Sequence, residues 1–278
     1  MLSASTKSCF CVCLALVVGV TSASAAQQSN AVRVDTLWAT VHHHRIAFFA
    51  TGDTAAPPVI LEPGGSSHTA WGALPSEIAQ FARVVTYDRP GYGLSESCSH
   101  TRSASVIAKE LYEALTLIGI KRPFVLGGWS LGGSFVRVFG AMYPDAVAGL
   151  VLIDPAPEHF YERAARERPD LWIPLLKQQN LRMASRGEGD RAEWAAWDTT
   201  MAEARKSDAA LIAPAILLTA TKADDELQPI WIDEHRKWAQ RMPNVRHVVV
   251  EGAGHAIFRD KPGAVILALR EMVARARQ

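Results

Sequence analysis

The sequence predicts an α/β fold, a mostly parallel central sheet flanked by helices with a helical cap insertion, and three observations carry that expectation. From Val32 onward, short apolar runs alternate with longer amphipathic stretches, the rhythm of strands joined by covering helices. One buried-strand pattern runs straight into a Gly-x-Ser-x-Gly turn at Gly128–Gly132 and then into a helical pattern. The last strand pattern ends in a glycine-flanked histidine, His255, ahead of a closing helix.

Taken in order, Val32 to Trp38 and Ile46 to Ala50 read as an opening antiparallel hairpin. Strands follow at Val59 to Leu61, Arg83 to Tyr87, Pro123 to Leu126, Gly149 to Ile153, Ala215 to Thr219 and Val245 to Val250. Ser103 to Ile118 carries Val106, Ile107, Leu111, Leu115 and Ile118 close to helical spacing. Leu131 to Tyr143 reads as a helix stopped by Pro144, and Pro262 to Ala276 as the closing helix with proline in its first turn. Roughly residues 155–211 break the rhythm. This stretch is helix-prone and carries Trp172, Trp194, Trp197, Met183 and Met201, and its length exceeds that of a connecting loop, so it is expected to form the cap. Plain packing helices are the alternative, since Trp and Met at helical spacing often serve only a core.

The 278 residues are 49% hydrophobic and 21% charged, enough apolar material for one large core, and the formal net charge is +1. Such a balance gives no electrostatic footprint for nucleic acid or an anionic membrane surface. The N-terminus differs in kind: Lys7 precedes an apolar run from Cys9 to Val20, and Ala23-Ser24-Ala25 supplies a small-residue cleavage pattern. Residues 1–25 are therefore expected to be a signal peptide and 26–278 the mature domain, exported to the periplasm or outside the cell. The apolar run is shorter than the ~20 residues of a spanning helix, so no stable membrane anchor is expected after cleavage. Cys9, Cys11 and Cys13 would leave with the signal, and Cys98 alone forms no intramolecular disulfide.

Chemistry concentrates on Gly127-Gly128-Trp129-Ser130-Leu131-Gly132-Gly133. A serine on a strained strand-to-helix turn has its Oγ exposed above the sheet, and the helix that follows points its positive end at developing negative charge. Side chains at the flanking glycines would collide with neighbouring backbone. Ser130 is thus the candidate nucleophile. An oxyanion hole needs two convergent N–H donors, and the glycine turn after Val59 to Leu61 is placed to give one; Gly65 and Leu131 are the candidates. His255 is the candidate general base. His42-His43-His44 is more conspicuous, but adjacent residues on an extended chain face opposite ways and cannot converge on one metal. No HExxH or Cys-rich zinc pattern is present, and no cofactor or metal is implied.

The elbow, the glycine turn, Tyr87-Asp88-Arg89-Pro90-Gly91-Tyr92-Gly93-Leu94-Ser95 and the Gly-x-Gly-His with Asp260-Lys261-Pro262 together resemble the α/β-hydrolase superfamily, in its serine esterase/lipase-like branch. The resemblance spans nearly all of the mature chain except the cap. It implies the α/β-hydrolase fold, catalytic roles for Ser130 and His255, and an architectural turn around Asp88 and Arg89. It leaves the triad acid open. Asp224 or Asp225 follows the strand where most relatives place it, but the loop Thr219–Asp225 departs from the commoner His-Gly-x-x-Asp. Asp154 closes the strand after the nucleophile helix, the place other relatives use. Asp224 and Asp154 stand level, with Asp225 behind them.

The expected activity is a Ser-His-Asp hydrolase cleaving a carboxylic ester or related small acyl compound through an acyl-enzyme. The same fold also serves aminopeptidases, amidases and carbon–carbon bond hydrolases. An aminopeptidase would need acidic cap residues such as Glu158, Glu162 or Glu167 turned inward to hold an amine. From another class, a non-catalytic binding protein can use this fold, since fold alone does not prove function.

Overall fold

Runs of branched aliphatic residues dictate the sheet. The computed structural model describes residues 33–97, 99–222 and 226–278; the expected signal peptide, Cys98, Asp224 and Asp225 lie outside the described residues. Among the described residues there are eight strands: β1 (Asp35–Val41), β2 (His44–Thr51), β3 (Pro58–Glu62), β4 (Arg83–Asp88), β5 (Phe124–Trp129), β6 (Val147–Ile153), β7 (Ala215–Ala220) and β8 (Val245–Val250). They lie side by side in the order β1-β2-β4-β3-β5-β6-β7-β8. The first hairpin and the β2–β4 pair are antiparallel, and every other pair is parallel. His42 and His43 form the turn of that hairpin, both at positive φ, and His44 opens β2.

Parallel strands need crossovers, and these cover both faces. The helices are α1 (Leu74–Ile78), α2 (Ala104–Leu117), α3 (Leu131–Met142), α4 (Phe160–Glu167), α5 (Pro169–Ala184), α6 (Glu188–Ala195), α7 (Trp197–Ser207), α8 (Gln228–Arg241), α9 (Ile257–Asp260) and α10 (Pro262–Ala276). Alternate strand residues feed two cores. Ile60 and Leu126 join α2 and α3 through Ile107, Leu111, Phe135 and Phe139, whereas Val59, Leu61 and Val125 join α1 and α10 through Ile78, Val265 and Leu269.

Between β6 and β7 the alternation stops for four helices, α4 to α7. Met201 and Ala204 seat α7 in the main core, but α5 buries Trp172 alone. The elements missing from the sequence reading are α1, α8 and α9. In α8 the buried face mixes Ile230 and Trp238 with Glu234 and His235, which blurs the apolar period. The loops leaving β3, β5, β6 and β8 at their C-terminal ends carry the residues of the site, as is general for open parallel sheets.

Candidate active site

Ser130 sits between β5 and α3 with φ 56° and ψ −124°, a conformation costly for a residue with a side chain. Neighbours hold it there. The Ser130 N–H donates to Ile153 O (3.2 Å), and Ser130 O accepts from the N–H groups of Gly133 (2.9 Å) and Ala156 (3.0 Å). The two flanking glycines answer the expected steric need. A Cβ on Gly128 would lie 2.6 Å from Gly132 O, and one on Gly132 would lie 2.3 Å from Glu62 O in β3.

Asp154 follows β6 and also has positive φ, 43°. Its carboxylate is buried, and both oxygens are used: Oδ1 accepts the Ala220 N–H at 3.0 Å, and Oδ2 lies 2.7 Å from His255 Nδ1. His255 follows β8 and leaves 42% of its side chain exposed toward the cavity side. Its ring is flanked by Trp129 and Trp231 at 5.4 and 5.5 Å, while Trp129 Nε1–H donates to His255 O at 2.9 Å. Asp260 accepts the Gly254 N–H at 2.8 Å, which fixes the loop ahead of the histidine.

Behind Asp154 stands a residue the sequence reading did not single out. His235 of α8 is buried, its Nε2–H donates to Pro155 O (2.7 Å), and its Nδ1 accepts the Thr219 hydroxyl (2.9 Å). A carbonyl oxygen can only accept, so this pair of bonds selects the Nε2–H tautomer. Burial holds the pKa of His235 below the usual histidine value, which keeps it neutral beside the carboxylate loop.

The turn Pro63-Gly64-Gly65 lies against the elbow: a Cβ on Gly64 would be 3.1 Å from Ser130 Cβ and 3.6 Å from its Oγ. Arg89 is buried beneath this turn with Glu62, Tyr87, Tyr92 and Glu193 of α6. Burial pushes the Glu62 carboxyl up to about 7, even though Arg89 beside it acts in the opposite sense. Asp88 accepts from the backbone N–H groups of His68 and Leu94 and contacts His68 Nδ1 at 2.8 Å, an architectural set of bonds.

A cavity of about 390 Å³ brings Ser130, His255, Asp154, Gly65 and Leu131 to one surface. Its remaining wall is largely aromatic and comes from the inserted helices and α8. Trp194, Trp197 and Met183 line it, whereas Trp172 and Met201 pack into the cores. Phe160, Tyr161 and Trp231 complete the apolar wall. The acidic residues named as possible amine holders do not line it. Glu158 is buried against Arg137, Glu162 is largely exposed, and Glu167 pairs with Arg163. Asp190 and Glu193 do line it, but each already faces a guanidinium, from Arg186 and Arg89. Among the described residues, no group of three His, Cys, Asp or Glu side chains is arranged to hold a metal, and no helix is long and apolar enough to cross a membrane.

Known proteins agree with this architecture. An uncharacterized vacuolar membrane protein of Saccharomyces cerevisiae is 33% identical over 141 residues, 48% of this chain, and the match covers only about a fifth (20%) of that protein's length. An uncharacterized protein of Mycobacterium tuberculosis is 30% identical over 115 residues, 41% of this chain and 33% of its own. Among solved structures, an esterase from Thermogutta terrifontis superposes with a TM-score of 0.64 at 23% identity, covering 88% of this chain and 100% of that one. An N-acyl homoserine lactonase complexed with N-hexanoyl homoserine gives 0.67 at 21% identity, covering 88% and 98%. These two likenesses concern the fold. Residues 59–269 match the alpha/beta hydrolase family, and the chain belongs to it.

Proposed function

We propose that the protein is a serine hydrolase that cleaves carboxylic esters or related small acyl compounds, with Ser130 as nucleophile, His255 as general base and Asp154 as the acid. The observation that carries this reading is the 2.7 Å contact between His255 Nδ1 and Asp154 Oδ2, on the wall of the cavity that also contains Ser130. A carboxylate accepting at Nδ1 leaves Nε2 unprotonated and stabilises the imidazolium that forms when the Ser130 proton is taken. The alkoxide attacks the acyl carbon, the carbonyl oxygen gathers charge, and the Gly65 and Leu131 N–H groups hold it. Water then repeats the sequence on the acyl-enzyme and regenerates Ser130.

The aromatic wall suits a neutral apolar acyl or alcohol part, and the cavity carboxylates of Asp190 and Glu193 are already matched by arginines. This favours an ester over a substrate bearing a free amine. The small-residue pattern at Ala23–Ala25 supports an exported enzyme acting on a small-molecule acyl substrate.

Hydrolysis of a chain-length series of p-nitrophenyl esters by the full chain, with Ser130→Ala as control, tests the reading. Turnover lost in the variant is expected, together with labelling of the wild type by a serine-reactive fluorophosphonate. Turnover that survives in Ser130→Ala would remove the nucleophile assignment. Inertness of the wild type to both reagents would favour a non-catalytic binding protein.

A further inference from the structure

We propose that Arg89 is a positioning residue of the oxyanion hole, aiming the Gly65 N–H into the cavity, and that Glu193 of the inserted helix α6 holds Arg89 in place. The proposal rests on the reading of Gly65 as an oxyanion donor.

Arginine has five N–H donors in a rigid plane, and all of those on Arg89 are used. Nε–H donates to Glu193 Oε1 at 2.6 Å and Nη2–H to Glu193 Oε2 at 2.9 Å, a side-on pair that fixes the plane of the guanidinium. Nη1 donates to Glu62 Oε1 and to Pro63 O, the latter at 2.9 Å. The remaining Nη2–H donates to Gly64 O at 2.6 Å. Neutralising two buried carboxylates would need only three of these bonds. The other two go to successive carbonyls of the glycine turn.

The consequence follows from peptide geometry. The unit joining Gly64 to Gly65 is planar and trans, so its C=O and N–H point in opposite directions. A carbonyl drawn down onto Arg89 therefore sends the Gly65 N–H away from Arg89. The Ser130 side chain lies close to Gly64, and Gly65 lines the cavity together with Ser130, whereas Arg89 is buried outside that lining. A glycine has no Cβ to restrict its torsions, so the orientation of this peptide is left to the bonds on Gly64 O, which are those from Arg89 and from the Ser66 N–H at 2.7 Å. A second cation, Arg186, donates to Gly65 O at 3.0 Å and holds the next peptide.

The holding group is not on the sheet. Glu193 comes from α6, where Tyr92 also donates to it at 3.0 Å, and α6 touches the turn region again where the Gly189 N–H approaches Gly91 O. The inserted segment thus takes part in shaping the hole through the Glu193–Arg89 ion pair and through the Arg186 contact to Gly65 O. The rings of Tyr92 and Phe135 lie 5.0 and 5.1 Å from the guanidinium carbon and exclude water from it.

The test compares wild type with Arg89→Lys and Glu193→Gln, as full chains, on p-nitrophenyl butyrate. Rates are normalised to sites titrated by the fluorophosphonate, so unfolded protein does not count. An ammonium keeps the charge but cannot span two carbonyls and two carboxylates. Arg89→Lys is expected to lower kcat about 100-fold with KM within about threefold, in the range for loss of one oxyanion donor. An alkyl trifluoromethyl ketone, which places an oxyanion in the hole once Ser130 adds to it, should lose affinity by a similar factor, while the unactivated methyl ketone should not. Glu193→Gln keeps the shape of the clamp and removes its charge; about tenfold losses in kcat and in trifluoromethyl ketone affinity are expected. If Arg89→Lys does not fold, Glu193→Gln carries the test alone.

Unchanged kcat and unchanged trifluoromethyl ketone affinity per titrated site in the variants that fold would overturn the proposal, and so would a rise in KM with kcat intact. A wild type that neither turns over the ester nor is titrated would instead remove the Ser130 reading, on which the proposal rests.

Discussion

The floor of the cavity is held by apolar area alone, whereas its roof combines apolar contacts with buried ion pairs. On the floor, β3, β5 and β6 bury Val59, Ile60, Leu61, Val125, Leu126 and Leu150 to Ile153 completely, so the loops that carry Ser130 and Asp154 leave a sheet fixed by apolar area. The roof, α4 to α7 with its flanking residues, adds buried ion pairs to its apolar seats at Met201, Ala204 and Phe160: Glu193 on Arg89, Glu158 and Asp208 on Arg137, and Arg163 on Asp233 and Glu234. Within it, α5 buries Trp172 alone. Apolar burial has no preferred direction, whereas a buried ion pair fails as soon as one partner is misplaced. Substitutions on the floor are therefore expected to act on kcat, and those on the roof on stability or substrate fit, except at Glu193, whose hold on Arg89 reaches the glycine turn beside Ser130.

The largest expected effect belongs to the floor. Asp154→Asn replaces the acceptor that fixes the His255 tautomer, and kcat should fall by about 10⁴. Asp224→Asn, measured in the same ester assay, should stay within a few-fold of wild type. Comparable mild losses in both would break the assignment of Asp154. At the seam beneath the roof, Arg137→Met of α3 leaves Glu158 buried without its cation, and urea unfolding should show a loss of about 3–5 kcal/mol. Per titrated site, its kcat should remain that of wild type. A loss well below 1 kcal/mol would mean that apolar contacts, not charge, seat the roof.

This division also explains what could be read in the sequence. The floor was legible because period-2 burial, the Gly-x-Ser-x-Gly turn and the terminal Gly-x-Gly-His are local patterns, each fixed by sterics within a few residues. Both Asp154 and Asp224 satisfy the same local rule, an aspartate just past a strand, and it takes the three-dimensional path of β6 and β8 to bring Asp154 to His255. The Arg89–Glu193 pair joins residues 104 apart in sequence. A carboxylate on a charged helix gives no local sign that it will be buried against an arginine across the cavity, and Arg89 was legible only as part of an architectural turn. His235 was hidden for the same reason, on an α8 whose buried face carries polar residues.

A smaller effect sharpens the view of the roof as the part that sets substrate fit. Trp194 of α6 lies 5.4 Å from Trp197 and 6.1 Å from Tyr161, and its Nε1–H donates to Asn180 of α5 at 3.0 Å. Trp194→Ala removes part of the aromatic wall and a tie between two roof helices. KM for short-chain esters should rise by about tenfold, with the preferred chain length moving upward and kcat little changed, as expected when about 1–2 kcal/mol of apolar contact is lost. A drop in kcat at constant KM would instead place Trp194 among the groups acting on the reacting atoms.

The smallest effect probes the seam where floor and roof meet. Glu62 ionises in the folded protein only at about 7, while an unfolded glutamate does so near 4.5, because burial penalises its charge. Between these two pH values the folded chain holds a proton that the unfolded chain releases. Stability contributed by Glu62 therefore rises as pH falls through 7 and levels off below 4.5, with a slope of at most about 1.4 kcal/mol per pH unit. Glu62→Gln has no such proton to bind, so the difference in unfolding free energy between wild type and variant should change with pH over this interval and be flat below it. His235 is common to both proteins, and any contribution from it cancels in that difference. A difference independent of pH from 5 to 8 would mean that Arg89 and Tyr87 keep Glu62 ionised throughout, making the buried cluster one net negative charge at the base of the oxyanion turn.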